Sequence, residues 1–130
     1  MIHLLDSSIL IDVLNGRRRR GEFLAQLSQR DILFACCSIN VTEVYMGMRR
    51  GEEAKTQQLL QSLEFFPVTW EIAKHAGELY REWRRKGHTL ALSDVTIAAV
   101  AITHGLTLVT DNHKHFPMAD LELFSLPDGE

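Results

Sequence analysis

Short, largely apolar runs recur along this chain with helix-patterned sequence between them, and this constrains the fold more than any other feature. Ile2–Leu5, Ile32–Cys37, Phe65–Val68, Leu106–Val109 and Leu121–Phe124 are each too short for a buried helix and lack the polar alternation of a half-solvated strand. Strands apolar on both sides belong in a parallel sheet covered on both faces, and helices between them supply the crossovers and the cover. Pro67 in the third run suits an edge strand, where a missing N–H costs no ladder bond.

The intervening segments carry their own punctuation. Asp6 stops the first run, and Ser7 or Ser8 is expected to cap a helix over Ile9–Leu14 that Asn15-Gly16 ends. Phe23, Leu24 and Leu27 stand at helical spacing in a second helix over 21–29. Ser38 or Asn40 is expected to cap a helix holding Val41, Val44, Tyr45 and Met48, and another follows over 52–63. Thr69 caps a longer helix from Trp70 to about Lys86. The stretch Leu90–His104 is apolar almost all round, so it should be buried, with Gly105 as its C-cap. Ser125–Glu130 reads as a fraying tail. No repeat, linker or low-complexity segment divides residues 1–130, so one domain is expected, ordered over about 2–125.

Composition excludes several classes. No uninterrupted apolar run approaches the ~18 residues of a membrane span, and the N-terminus Met1–Asp6 lacks a basic segment and a long apolar segment of a secretory signal. Cys36 and Cys37 are adjacent, a spacing that does not make a disulfide framework, which points to reduced thiols and a cytoplasmic setting. A net charge of −3 gives no global pull on nucleic acid, yet Arg17–Arg20, Arg49–Arg50 and Arg81, Arg84, Arg85 and Lys86 form local basic clusters. Arg17–Arg20 reads either as a solvated loop or as a contact for phosphate or a partner. Asp12 and most of the glutamates read as surface charges, and Trp70 and Trp83 as core or dimer packing.

Four acids sit beside apolar segments rather than in solvated stretches: Asp6, Glu43, Asp94 and Asp111. Asp6 follows the first strand and Asp111 the fourth, whereas Glu43 and Asp94 come early in helices. In an open parallel sheet, sites form beyond the carboxyl ends of the strands, where strand order reverses. Carboxylates gathered there repel one another unless a cation compensates, and oxygen-only ligation suits Mg²⁺ or Mn²⁺. Such an ion acts on phosphoryl groups.

Taken together, Leu5-Asp6-Ser7-Ser8, Asn40-Val41-Thr42-Glu43, Leu92-Ser93-Asp94 with Ile97-Ala98-Ala99, and Val109-Thr110-Asp111-Asn112 with His115-Phe116 resemble the PIN domain, and more narrowly the VapC ribonuclease toxins of toxin–antitoxin pairs. The resemblance covers roughly residues 2–125. It implies an α/β fold with a five-stranded parallel sheet in the order 3-2-1-4-5 between helices, and Mg²⁺- or Mn²⁺-dependent endoribonuclease activity on RNA, tRNA among the plausible substrates. It further implies homodimers and a VapB-type antitoxin partner. Carried over, Asp6, Glu43 and Asp94 are the core metal ligands, and Ser8, Thr110 and Asn112 orient them. Many relatives carry an acid directly before the last Phe; here His115 stands there, and the acid is Asp111, taken as the fourth ligand with Asn112 as the alternative. Two other readings compete: phosphoryl transfer through an aspartyl phosphate on Asp6, and a nonenzymatic RNA-binding module.

Overall fold

A computed structural model describes residues 1–129. Its strands are β1 (Ile2–Leu5), β2 (Leu33–Cys37), β3 (Glu64–Phe66), β4 (Thr107–Val109) and β5 (Leu123–Phe124). They form one parallel sheet in the order β3-β2-β1-β4-β5, as the resemblance implies. β1 is central, with Leu4 level with Ala35 on one side and Leu108 on the other. β3 is an edge strand, and Pro67 follows it directly.

Alternation along the strands divides the interior into two layers. Leu4, Ala35, Cys37 and Leu108 enter one core, and Leu5, Cys36 and Val109 enter the other. The first is covered by α5 (Trp70–Arg85) and α6 (Leu92–His104), through Ile72, Ala76, Leu79 and the run Val95–Ala101. The second is covered by α1 (Ser7–Leu14), α2 (Arg20–Ser28), α3 (Ser38–Met46) and α4 (Glu53–Gln61), through Ile9, Leu10, Leu24, Val44 and Leu60. The small residues Ala98, Ala99 and Ala101 of α6 are fully buried, which lets the helix lie close against the sheet. Gly105 adopts φ +65°, the left-handed C-cap that turns α6 into β4.

Several local expectations shift. Asp6, not a serine, is the N-cap of α1: its carboxylate accepts from the Ser7 N–H, so the helix starts at Ser7. Cys37 takes the cap position of α3, and Asn40 reaches back to its N–H from the third helical position. Thr69 caps α5 as expected. Trp70 is 81% exposed rather than in the core. The tail is anchored rather than frayed within the described residues: Leu126 is buried in the second core, Ser125 Oγ bonds His113 and Asp128 pairs with Arg18. Among the described residues no helix is long and apolar enough to cross a membrane.

The largest departure is in the basic block. Arg20 is not solvated but wholly buried, between Asp111 and Asp12, so Asp12 is no free surface charge either. A desolvated guanidinium must be paired, and two carboxylates do this.

Candidate metal centre

The carboxyl ends of β1, β2 and β4 open on one side of the sheet, and strand order reverses between β1 and β4. Asp6 lies at this point. Its backbone N–H continues the ladder to Val109 O at 2.9 Å, which fixes its Cα before any side-chain contact is made. One carboxylate oxygen accepts from the Ser7 N–H at 2.8 Å and the other from Thr110 Oγ1 at 2.7 Å. Thr110 is itself fully buried, and its hydroxyl oxygen accepts from the Asn112 N–H at 3.0 Å. Thr110 thus bonds Asp6, and the Asn112 backbone bonds Thr110.

Glu43 reaches the site from α3 through a relay anchored in the backbone. The Cys37 N–H donates to Asn40 Oδ1 at 2.8 Å, Asn40 Nδ2 donates to Ser7 Oγ at 2.9 Å, and the Ser7 hydroxyl donates to Glu43 Oε1 at 2.6 Å. Every Ser7 and Asn40 polar group used here is satisfied inside the protein, so the Glu43 carboxylate is aimed rather than free. Ser7 therefore does the orienting work expected of Ser8, whose buried Oγ has no hydrogen-bond partner among the described residues. The shift follows from the helix start at Ser7, which changes the side each serine presents. Sequence reading missed Ser7 and Asn40 as site residues. The available signal was Asn40 at the third position after Cys37, the place from which a side chain reaches a helix cap.

Asp94 comes from the first turn of α6, half-buried, with Oδ2 3.4 Å from His115 Nδ1. Burial pushes the carboxyls of both Asp6 and Asp94 above the ordinary carboxylate range. Glu43 adds to the rise in both, and Asp6 adds to it in Asp94. The nearby His115 opposes the rise in each. Glu43 is thus near enough for its charge to act on both Asp6 and Asp94, and Asp6 near enough to act on Asp94.

Asp111 has other partners. Its carboxylate turns to two guanidiniums, bonding Arg18 Nη1 at 2.9 Å and Arg20 Nη2. An acid neutralised on that side has little charge left to attract an ion. His115 instead stands beside Asp94, directly before the buried Phe116.

The donor set of Asp6, Glu43 and Asp94 suits a hard divalent cation, since all the atoms it offers are carboxylate oxygens. Among the described residues no three acidic, histidine or cysteine side chains close into a ready-made cage. Beside Asp94 a polar cavity of about 390 Å³ opens, lined by His88, Thr89, Lys114 and His115 among others. Of the three acids, Asp94 lines it.

Comparison with known proteins agrees with this fold. Residues 3–120 match the sequence model of the PIN domain. The chain is 36% identical over 115 residues to the ribonuclease VapC10 of Mycobacterium tuberculosis, covering 88% of this chain and 86% of that one. It is 30% identical over 119 residues to the ribonuclease VapC2 of Haemophilus influenzae, covering 88% and 89% respectively. Among solved structures, the VapBC2 complex of Rickettsia felis bound to a DNA fragment from its promoter superposes with a TM-score of 0.86 at 26% identity, covering 98% of this chain and 100% of that one.

Proposed function

Since this chain belongs to the PIN-domain family, alongside ribonucleases named VapC, we propose that it is a divalent-metal-dependent endoribonuclease, the toxin of a VapBC-type pair, held by Asp6, Glu43 and Asp94 to its ion. What supports this reading is that Asp6, directly after β1, and Asp94, in the first turn of α6, both lie within reach of the charge of Glu43 on α3. Burial raises the carboxyl pKa of Asp6 and of Asp94, and the charge of Glu43 adds to the rise in both. Such an arrangement is costly without a cation and cheap with one.

A bound Mg²⁺ or Mn²⁺ supplies Lewis-acid charge at the scissile phosphodiester and lowers the pKa of a water. The protein's own share is positional. Thr110 and the Ser7 N–H hold the two oxygens of Asp6, and the relay from Cys37 through Asn40 and Ser7 holds Glu43. Fixed ligands need no rearrangement as charge develops on the phosphate. Lys114 and His88 line the adjoining cavity, where a cationic side chain meets the RNA backbone without reading its sequence. No protein nucleophile is required. A VapB-type antitoxin is the proposed partner, on the strength of the VapBC complexes it resembles; a second copy of the chain and a cytoplasmic setting are proposed with it, as the family resemblance implies.

The test is RNA cleavage with added Mg²⁺ or Mn²⁺. Asp6→Asn and Asp94→Asn should each remove metal-dependent cleavage, by about 10³-fold or more, while leaving the fold intact by circular dichroism. Unchanged cleavage in both variants would overturn the assignment.

A further inference from the structure

Arg20 is a fully buried guanidinium whose Nε and Nη1 have no hydrogen-bond partner among the described residues and whose Nη2 bonds Asp111, with Asp12 3.6 Å from Nε. A buried charge so placed is expensive. The segment that delivers it is strained as well: Arg18 and Arg19 both adopt φ +54°, a left-handed conformation that side chains other than glycine rarely take. Strain and a desolvated charge concentrated on one contact point to a positional task. Arg18, from the strained pair, donates to the same Asp111 oxygen at 2.9 Å.

What that contact positions follows from the chain. Asp111 lies between Thr110, whose hydroxyl donates to Asp6 Oδ2 at 2.7 Å, and Asn112, whose N–H donates to Thr110 Oγ1 at 3.0 Å. Clamping the Asp111 carboxylate fixes the turn over 110–112, and with it the direction of the hydroxyl that holds Asp6. We infer that Arg20 and Arg18, through Asp111, are positioning residues for the Asp6 carboxylate, so that Asp111 sets the metal affinity of the site without touching the ion. This rests on the reading of Asp6 as a metal ligand.

The route runs through Thr110 alone, which makes it testable by coupling. Mn²⁺ affinity is measured by electron paramagnetic resonance of free Mn²⁺ for the full chain and its variants. Asp111→Ala should weaken Mn²⁺ binding about 10-fold, the order expected for residues behind a ligand. Asp111→Asn keeps an oxygen that accepts from a guanidinium, so it should stay within about threefold of the parent. In a Thr110→Val background, Asp111→Ala should cause no further loss, because the link to Asp6 is already cut. If Asp111 were a ligand, Asp111→Asn would lose Mn²⁺ as fully as Asp6→Asn and the losses would add to that of Thr110→Val. If its role were only structural, Asp111→Ala would lower the melting temperature and leave the Mn²⁺ midpoint unmoved. Either result overturns the inference. Should Asp111→Ala fail to fold, Arg18→Ala at its partly exposed position serves instead, with a smaller loss of about threefold that must also vanish in the Thr110→Val background. Asp6→Asn is the control: full Mn²⁺ affinity there would sink the metal-site reading itself, whatever the Asp111 variants do.

Discussion

Ser7 and Ser8 stand side by side and do different things. Ser7 Oγ links Asn40 to Glu43, and Ser8 Oγ is buried with no partner. Ser7→Ala should weaken Mn²⁺ binding about 10-fold and leave Asn40 Nδ2 unpaired. Ser8→Ala should leave Mn²⁺ affinity unchanged and not lower the melting temperature, since removing an unsatisfied buried hydroxyl costs nothing; titration and thermal melts on the pair check both. At this scale Asp6, Glu43 and Asp94 were legible as candidates because each acid sits in its own local context of apolar neighbours. The partner of Asp111 was not legible: Arg20 is 91 residues away, and nothing in a run of four arginines marks the one that turns inward. The choice between the two serines hung on a helix start one or two residues from where composition suggested it, since Asp6 itself took the cap.

Elements carry the site more than loops do. Asp6 and Thr110 are direct continuations of β1 and β4, and Asp94 is set by the first turn of α6, whose seven residues Val95–Ala101 are buried. The approach of α6 to the sheet therefore decides where Asp94 falls. The left-handed Gly105 ends this helix at the point where the chain must turn into β4, and a Cβ there meets no atom within 4 Å. The cost of Gly105→Ala is thus conformational rather than steric, about 1–2 kcal/mol. It should appear as a lower denaturation midpoint with an unchanged m-value. The strands and the buried helix were readable because an unbroken apolar run and a heavily apolar helix each admit few placements, whereas the strand order came from the family resemblance. β3 and β5 came out shorter than their apolar runs because edge strands end where their single neighbour's ladder stops.

For the whole molecule, the acid cluster ties stability to pH and to metal together. The Asp6 and Asp94 carboxyls lie above their ordinary value, chiefly through burial. The folded, metal-free protein therefore holds protons that the unfolded chain has released. Their contribution to stability is full below the ordinary carboxylate range and is lost as pH rises through the folded-state values. A divalent ion competes with those protons, so the rise in melting temperature on adding Mn²⁺ should grow from about pH 4 to about pH 7. Asp6→Asn should flatten that dependence. A metal-induced shift independent of pH would mean that the ion binds elsewhere.

Cys36 and Cys37 are neighbours in β2, and the pleat sends one thiol into each core. Burial holds both thiols above their usual range, Cys36 up to about 11, so neither reacts until its surroundings open. Each layer therefore contains its own reporter at almost the same point in the chain. Alkylation rates of the single-thiol variants Cys36→Ala and Cys37→Ala, measured under native conditions, time the opening of the α5–α6 layer and of the α1–α4 layer separately. Equal rates mean that the two sides of the sheet come apart in one event; unequal rates identify the layer that opens first.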